Sequence, residues 1–310
     1  MPTVTDHSRI PSSQVTSHRP ARPSWLDAQI FPFESRWLEL DGSHIHYIDE
    51  GRGPLLLLLH PGPAWSFAFR HVIKLLRADF RCVALDFPGF GLSTAASGYG
   101  FTVAEQGAVV ARFIEALNLR EIILVGNDSG GPSGLHAAGR MPERFSGIVA
   151  ASTFAWPLDR DHLMRWMLRR VSGPVFRSLN ERTNILIRLM TKFGVRRRKL
   201  SRAERHAYLA SFPTAEARRR IHVLFGSLVR SPEFLRETEI GLARLAHLPL
   251  LTIYGQLDPA RLLGWQKRFE SYFPRHRSMV ARGEGHFPPE GVPDEMAAAI
   301  RAWHRAFFAR

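Results

Sequence analysis

Two side chains capable of nucleophilic attack, Asp128 and Ser129, stand next to each other in "LVGNDSGGPSG" at 124–134. A serine there would attack a carbonyl and form an acyl ester. An aspartate would displace a leaving group from saturated carbon and form an alkyl ester. The surrounding glycines separate the two. A nucleophile at a strand-to-helix elbow sits in a strained turn that needs small residues two places before and two places after it. Centred on Asp128, those places hold Gly126 and Gly130; centred on Ser129, they hold Asn127 and Gly131. Asparagine is bulky for so tight a corner, so Asp128 is the expected nucleophile. Attack by Ser129 is the alternative, and a glycine turn without chemistry is the plainest reading.

An aspartyl ester turns over only when water attacks it, and that step needs a base held by a second carboxylate. "ARGEGHFPPEG" supplies His286, and "YGQLDPA" supplies Asp258 just past a strand end. His286 can otherwise be a surface loop histidine. Asp258 can otherwise be the N-cap of the helix "ARLLGWQKRF", with Asp159 as the spare acid. The ester also needs an oxyanion hole. Its donors are expected to be the backbone N–H of Ser129 and that of Gly62 in "HPGPAWS", because Pro61 and Pro63 have none.

The elements that must carry these residues alternate in kind. "SRWLELDG" and "SHIHYIDEG" read as a hairpin turning at Asp41-Gly42. "PLLLLLH", "FRCVALDFPG", "EIILVG" and "SGIVAAST" read as buried strands. Between them lie segments of helical spacing, one of them opened by a capping box of Thr102 and Glu105. This rhythm argues for an α/β fold, a doubly wound, mostly parallel sheet covered by helices on both faces. It stops at 157–245, which is helical throughout, and resumes with "LPLLTIYG". The expected organisation is a lead-in at 1–24, polar, rich in Pro and Ser and disordered, then a core of 25–156 and 246–310. A helical cap at 157–245 is expected over the carboxyl ends of the strands, where open parallel sheets bind ligands.

The chain has 310 residues, 45% hydrophobic and 23% charged, an ordinary globular mix. Its single cysteine, Cys82, lies in an apolar strand, so no internal disulfide framework exists, which fits a reducing, cytoplasmic setting. No apolar run is long enough to span a membrane, and no signal layout opens the chain. The net charge is +14, and sixteen arginines fall within 160–230. Without a basic-aromatic repeat or a nucleic-acid fold signature, this fits an acidic substrate or weak attraction to an anionic membrane surface better than nucleic acid. No metal-ligand cluster or phosphate-binding glycine loop is present, and no cofactor is expected. The expected partners are a small-molecule substrate and water. Oligomeric state has no signature in the sequence.

Taken together, "HPGPAWSFAFR", "LDFPGFGLS", "GNDSGG" and "GEGHFPPE" resemble the haloalkane dehalogenase and epoxide hydrolase branch of the α/β-hydrolase superfamily. The likeness runs from "FPFESRWLELDGSHIHYIDEG" to the last helix. It implies Asp128 as nucleophile, His286 as base, Asp258 as acid, and Gly62 and Ser129 as backbone oxyanion donors. Dehalogenases of this type place a halide-holding tryptophan after the nucleophile and a second halide contact, Asn or Glu, at the place of Gly62; this chain has Ser129 and Gly62 there. A halide cradle would then come from Trp65, Trp156 or Trp166. Epoxide opening needs phenolic donors from the cap, where Tyr208 is the one tyrosine. The expectation is a hydrolase working through an aspartyl ester, on a carbon–halogen bond first and an epoxide second. A serine esterase and a binding module without turnover are the further alternatives.

Overall fold

The computed structural model describes residues 20–308. Most of the expected disordered lead-in, 1–19, lies outside the described residues. The hairpin comes first, as β1 (Arg36–Leu40) and β2 (Ser43–Glu50), with Leu40 opposite Ser43. Asp41 and Gly42 between them have φ of 49° and 78°. Two positive φ values are what a two-residue turn requires if it is to follow the twist of its strands, and Asp-Gly accepts them at low cost. The all-leucine β3 (Leu55–Leu59) is buried on both faces. It is followed by α1 (Arg70–Leu76), β4 (Arg81–Leu85), α2 (Val103–Ala116), β5 (Ile122–Asp128), α3 (Gly130–Arg140) and β6 (Phe145–Thr153). The Thr102–Glu105 capping box closes the start of α2 in both directions. Cys82 is buried in β4, and burial pushes its thiol up to about 12, leaving it unreactive.

Residues 158–245 contribute helices and no strand: α4 (His162–Ser172), α5 (Pro174–Thr183), α6 (Ile185–Leu189), α7 (Arg202–Ala210), α8 (Ala215–Arg230) and α9 (Pro232–Leu245). A π turn, Met190–Gly194, extends α6. The sheet then resumes with β7 (Leu250–Gly255), α10 (Pro259–Leu262), α11 (Trp265–Tyr272), β8 (His276–Ala281), α12 (Pro288–Gly291) and α13 (Pro293–Phe308). Among the described residues the sheet has eight strands in the order β1-β2-β4-β3-β5-β6-β7-β8. β1 and β2 run antiparallel to their neighbours, and the rest are parallel. All parallel strands therefore end on one rim, where α4, α6 and α8 cover a cavity. α9 packs elsewhere, along α3, where a Cβ on Gly139 would lie 2.9 Å from the Cα of Gly241.

A buried ionic cluster ties the inserted helices to the sheet unit. Arg70 on α1, fully buried, donates to Glu204 of α7 at 2.5 Å and to Glu290 of α12. Arg198 donates to both glutamates, and the Tyr208 hydroxyl donates to Glu290. No helix among the described residues is long and apolar enough to cross a membrane.

Candidate active site

Asp128 ends β5 with φ of 47°, a left-handed conformation that L-residues adopt only under strain of about 1–3 kcal/mol. The corner closes because its flanks lack side chains. A Cβ on Gly126 would lie 2.7 Å from the Cα of Gly131, and one on Gly130 would lie 2.4 Å from the carbonyl oxygen of Leu59. Gly131 is equally constrained, since a Cβ there would meet Thr153 Oγ1 at 1.8 Å. That same hydroxyl donates to the Asp128 carbonyl at 2.6 Å and pins the elbow to β6.

The elbow delivers one carboxylate oxygen, Oδ1, to 3.3 Å from His286 Nε2. The other, Oδ2, is buried without a hydrogen-bond partner. His286 sits in the loop after β8, and its Nδ1 lies 2.9 Å from Asp258 Oδ1. The same oxygen accepts the N–H of Ala260 at 2.9 Å, so Asp258 both caps α10 and holds the ring. A carboxylate can only accept there, which assigns the Nδ1 proton to histidine. Burial works against charge on His286, but the carboxylates of Asp258 and then Asp128 outweigh it and hold its pKa well above the ordinary imidazole value. Burial would likewise raise Asp258, yet the facing imidazole wins and holds its carboxyl below the usual range. Asp159, the spare acid, pairs with Arg236 instead.

The remaining candidates fall in different places. Ser129 is buried at the N-cap of α3 with φ of −64°. Its Oγ accepts the Gly62 N–H at 2.9 Å, so the two expected oxyanion positions are bonded to each other. A side chain at 62 would displace the Leu224 methyl, since a Cβ there would lie 2.7 Å from Leu224 Cδ2. His60 anchors this loop: Nδ1 donates to the Pro61 carbonyl at 3.0 Å, and Nε2 accepts the N–H of Phe87 at 3.0 Å. Burial lowers its pKa, as befits a neutral structural histidine.

Asp128, Asp258 and His286 open onto a cavity of about 310 Å³, at the lower end of ordinary ligand pockets. Its walls are hydrocarbon: Phe154 and Leu158 after β6, Met164, Leu168 and Val171 on α4, Leu186 on α6, Phe225 and Leu228 on α8. None of the four expected pocket residues lines it. Trp65 is buried against Phe31 and Phe67, and Trp156 against Phe269 and Arg268. Trp166 points outward, 57% exposed, under Arg170. Tyr208 lies in the ionic cluster with its hydroxyl on Glu290. All four positions depend on which face of an element turns inward, and aromatic content alone does not decide that. The tryptophan that does line the cavity is Trp265, whose indole N–H is donated to Asp161 at 3.1 Å.

One further residue bears on the site and has no signature beyond being a glutamate two places before His286. Glu284 is fully buried and accepts three backbone N–H groups, from Arg196 and Arg197 at 3.0 Å each and from Gly285 at 2.7 Å. It joins the histidine loop to the chain just beyond the π turn. Gly255 lets β7 pass this loop, since a Cβ there would meet the Gly285 carbonyl at 1.9 Å.

A family model described as alpha/beta hydrolase fold matches residues 54–291. Haloalkane dehalogenase 2 of Mycobacterium tuberculosis is 36% identical over 276 residues, 88% of this chain and 96% of that protein. A cis-3-alkyl-4-alkyloxetan-2-one decarboxylase of Shewanella oneidensis is 28% identical, covering 88% of each chain. Among solved structures, haloalkane dehalogenase DbeA from Bradyrhizobium elkani superposes with a TM-score of 0.80 at 23% identity, over 89% of this chain and 99% of that one. DatA from Agrobacterium tumefaciens superposes with 0.78 at 21%, over 88% and 97%. At that identity the two structures speak for the fold alone.

Proposed function

The chain belongs to the alpha/beta hydrolase fold family as a haloalkane dehalogenase-like hydrolase, and on that premise we propose that Asp128 is its nucleophile, His286 its base and Asp258 the acid behind it. The observation that carries this reading is the Asp128 carboxylate at its left-handed corner, one oxygen on His286 and the other unpartnered, at the floor of an apolar cavity. A free oxygen of Asp128 attacks the carbon bearing the leaving group. The C–O bond forms as the carbon–halogen bond breaks, and halide departs with the bonding pair. His286 Nε2 then takes a proton from water, whose oxygen attacks the Asp128 carboxyl carbon. The tetrahedral adduct collapses to alcohol and free carboxylate. Esterification also prepares the base. It removes the Asp128 charge, one of the two that raise His286, so the ring loses its proton more readily when it must act.

The alternatives each lack a part. A serine esterase needs Ser129 beside the histidine, but its Oγ is buried at the N-cap of α3 and accepts the Gly62 N–H. Epoxide opening needs a phenol, and no tyrosine among the described residues lines the cavity. A binding module without turnover has no use for a strained carboxylate facing a histidine already paired with a second acid.

The test is mass spectrometry of the His286→Ala variant after exposure to 1-bromohexane. A covalent alkyl adduct on Asp128, with one bromide released per protein, is expected. An adduct on Ser129, or none with full bromide release, rejects the reading. A second reading is favoured by the absence, among the described residues, of a free indole N–H in the cavity: ring opening of an alkyl-substituted oxetanone, the substrate class named for the Shewanella relative. Attack of Asp128 on the ring carbon bearing oxygen leaves the departing carboxylate on the substrate, so no free anion needs a cradle. Loss of CO2 then forms the alkene and expels Asp128. Alkene and CO2 from the oxetanone, with no halide from any bromoalkane, would select it.

A further inference from the structure

The outer face of the inserted helices combines apolar side chains with unpaired cations. Leu163, Trp166 and Met167 on α4 are exposed, as are Leu189 at the end of α6 and Phe193 one turn on. Met167 and Leu189 also line the catalytic cavity, so this rim is its mouth. Between 162 and 203 the chain carries twelve Lys and Arg and a single acid, Glu181. Arg177 pairs with Glu181, Arg197 with Glu295, and Arg198 with Glu204 and Glu290. The other nine make no ion pair among the described residues. Arg170 lies over Trp166 and Lys192 over Phe193, so charge and apolar surface share the same edge. Exposed apolar groups flanked by Lys and Arg are how a protein lies on an anionic lipid surface without spanning it. A second copy of the chain is a poor fit, because it would bring two strongly positive faces together.

We propose that this rim docks on anionic lipid bilayers and opens the catalytic cavity onto the membrane, so that an apolar substrate dissolved in lipid enters without crossing water. Docking itself stands apart from the catalytic reading, while the loading step rests on it. The experiment is co-flotation of the full chain with vesicles of phosphatidylcholine alone or mixed two to one with phosphatidylglycerol, at low and high salt. Two double variants accompany it, Trp166→Ser/Phe193→Ser and Arg169→Glu/Lys192→Glu. None of these four residues lines the cavity, and a thermal melt checks that the variants fold.

Binding to the mixed vesicles alone is expected, falling about tenfold or more in each variant and at high salt. No binding to anionic vesicles overturns the proposal, as does binding that neither variant weakens. Sedimentation showing that the chain dimerises through this face, and that the variants abolish the dimer, also overturns it. For loading, turnover of 1-bromohexadecane held in anionic vesicles is expected to exceed that in neutral vesicles about tenfold in the wild type and to equalise in the variants. If bromoalkanes are not turned over even in solution, the catalytic reading fails, and the flotation result still decides docking.

Discussion

At the scale of single residues, the proposed roles make the pair Asp258–His286 the expected setter of the working pH. Asp258 is the foremost of the groups that raise His286, so Asp258→Asn lowers the imidazole pKa. A base must be neutral to act, so the acidic limb of kcat against pH is expected to move to lower pH in this variant. The plateau drops with it, because the ring loses the group that orients it. A limb that stays in place or moves up would show that the carboxylate does not set this titration. Gly62 carries a second prediction. A side chain there pushes on Leu224 and Ser129 Oγ, so Gly62→Asn is expected to disturb the Gly62–Ser129 hydrogen bond and to lower turnover, as initial rates against the wild type would show. With no free indole N–H among the described residues of the cavity to receive a departing anion, the wild type should favour bromide and iodide over chloride in a matched series. Equal rates across the three halides would contradict this.

At the scale of elements, much of the frame was legible in the sequence. The Asp41-Gly42 turn, the Thr102 cap and the glycine spacing around Asp128 each announce a local backbone geometry, and local geometry is what short-range chemistry specifies. The cavity wall was not legible. Which face of α4 turns inward depends on where α8 lies, so Met164 and Leu168 line the pocket while Trp166 faces out. Glu284 was invisible for a similar reason: its meaning comes from two backbone N–H groups nearly ninety residues earlier in the chain. Replacing it by Gln keeps the shape and removes the charge, which is expected to cost about 1.5–3 kcal/mol from hydrogen bonds made to a charged acceptor. Chemical denaturation would measure the loss; a change within error would show that these bonds are dispensable.

At the scale of the whole molecule, the Arg70 cluster joins units far apart in sequence. Taking out Arg70 leaves Glu204 and Glu290 buried with less compensation, so Arg70→Ala is expected to cost about 3–5 kcal/mol. Burial alone would raise the Glu204 carboxyl, but His71, Arg70 and the Ser201 N–H outweigh it and hold it far below the usual range. A depressed carboxyl gives stability that is complete above its unfolded value, about 4.3, and is lost as pH falls below it. Thermal melts from pH 6 to pH 3 should show that fall, and it should be shallower in Glu204→Gln.

Glu284 has a kinetic consequence. It grips the stretch at 196–197 and the histidine loop with the same carboxylate. A displacement of that stretch is therefore expected to shift the loop that carries His286. A change that loosens this grip is thus expected to reach the proposed base without touching it.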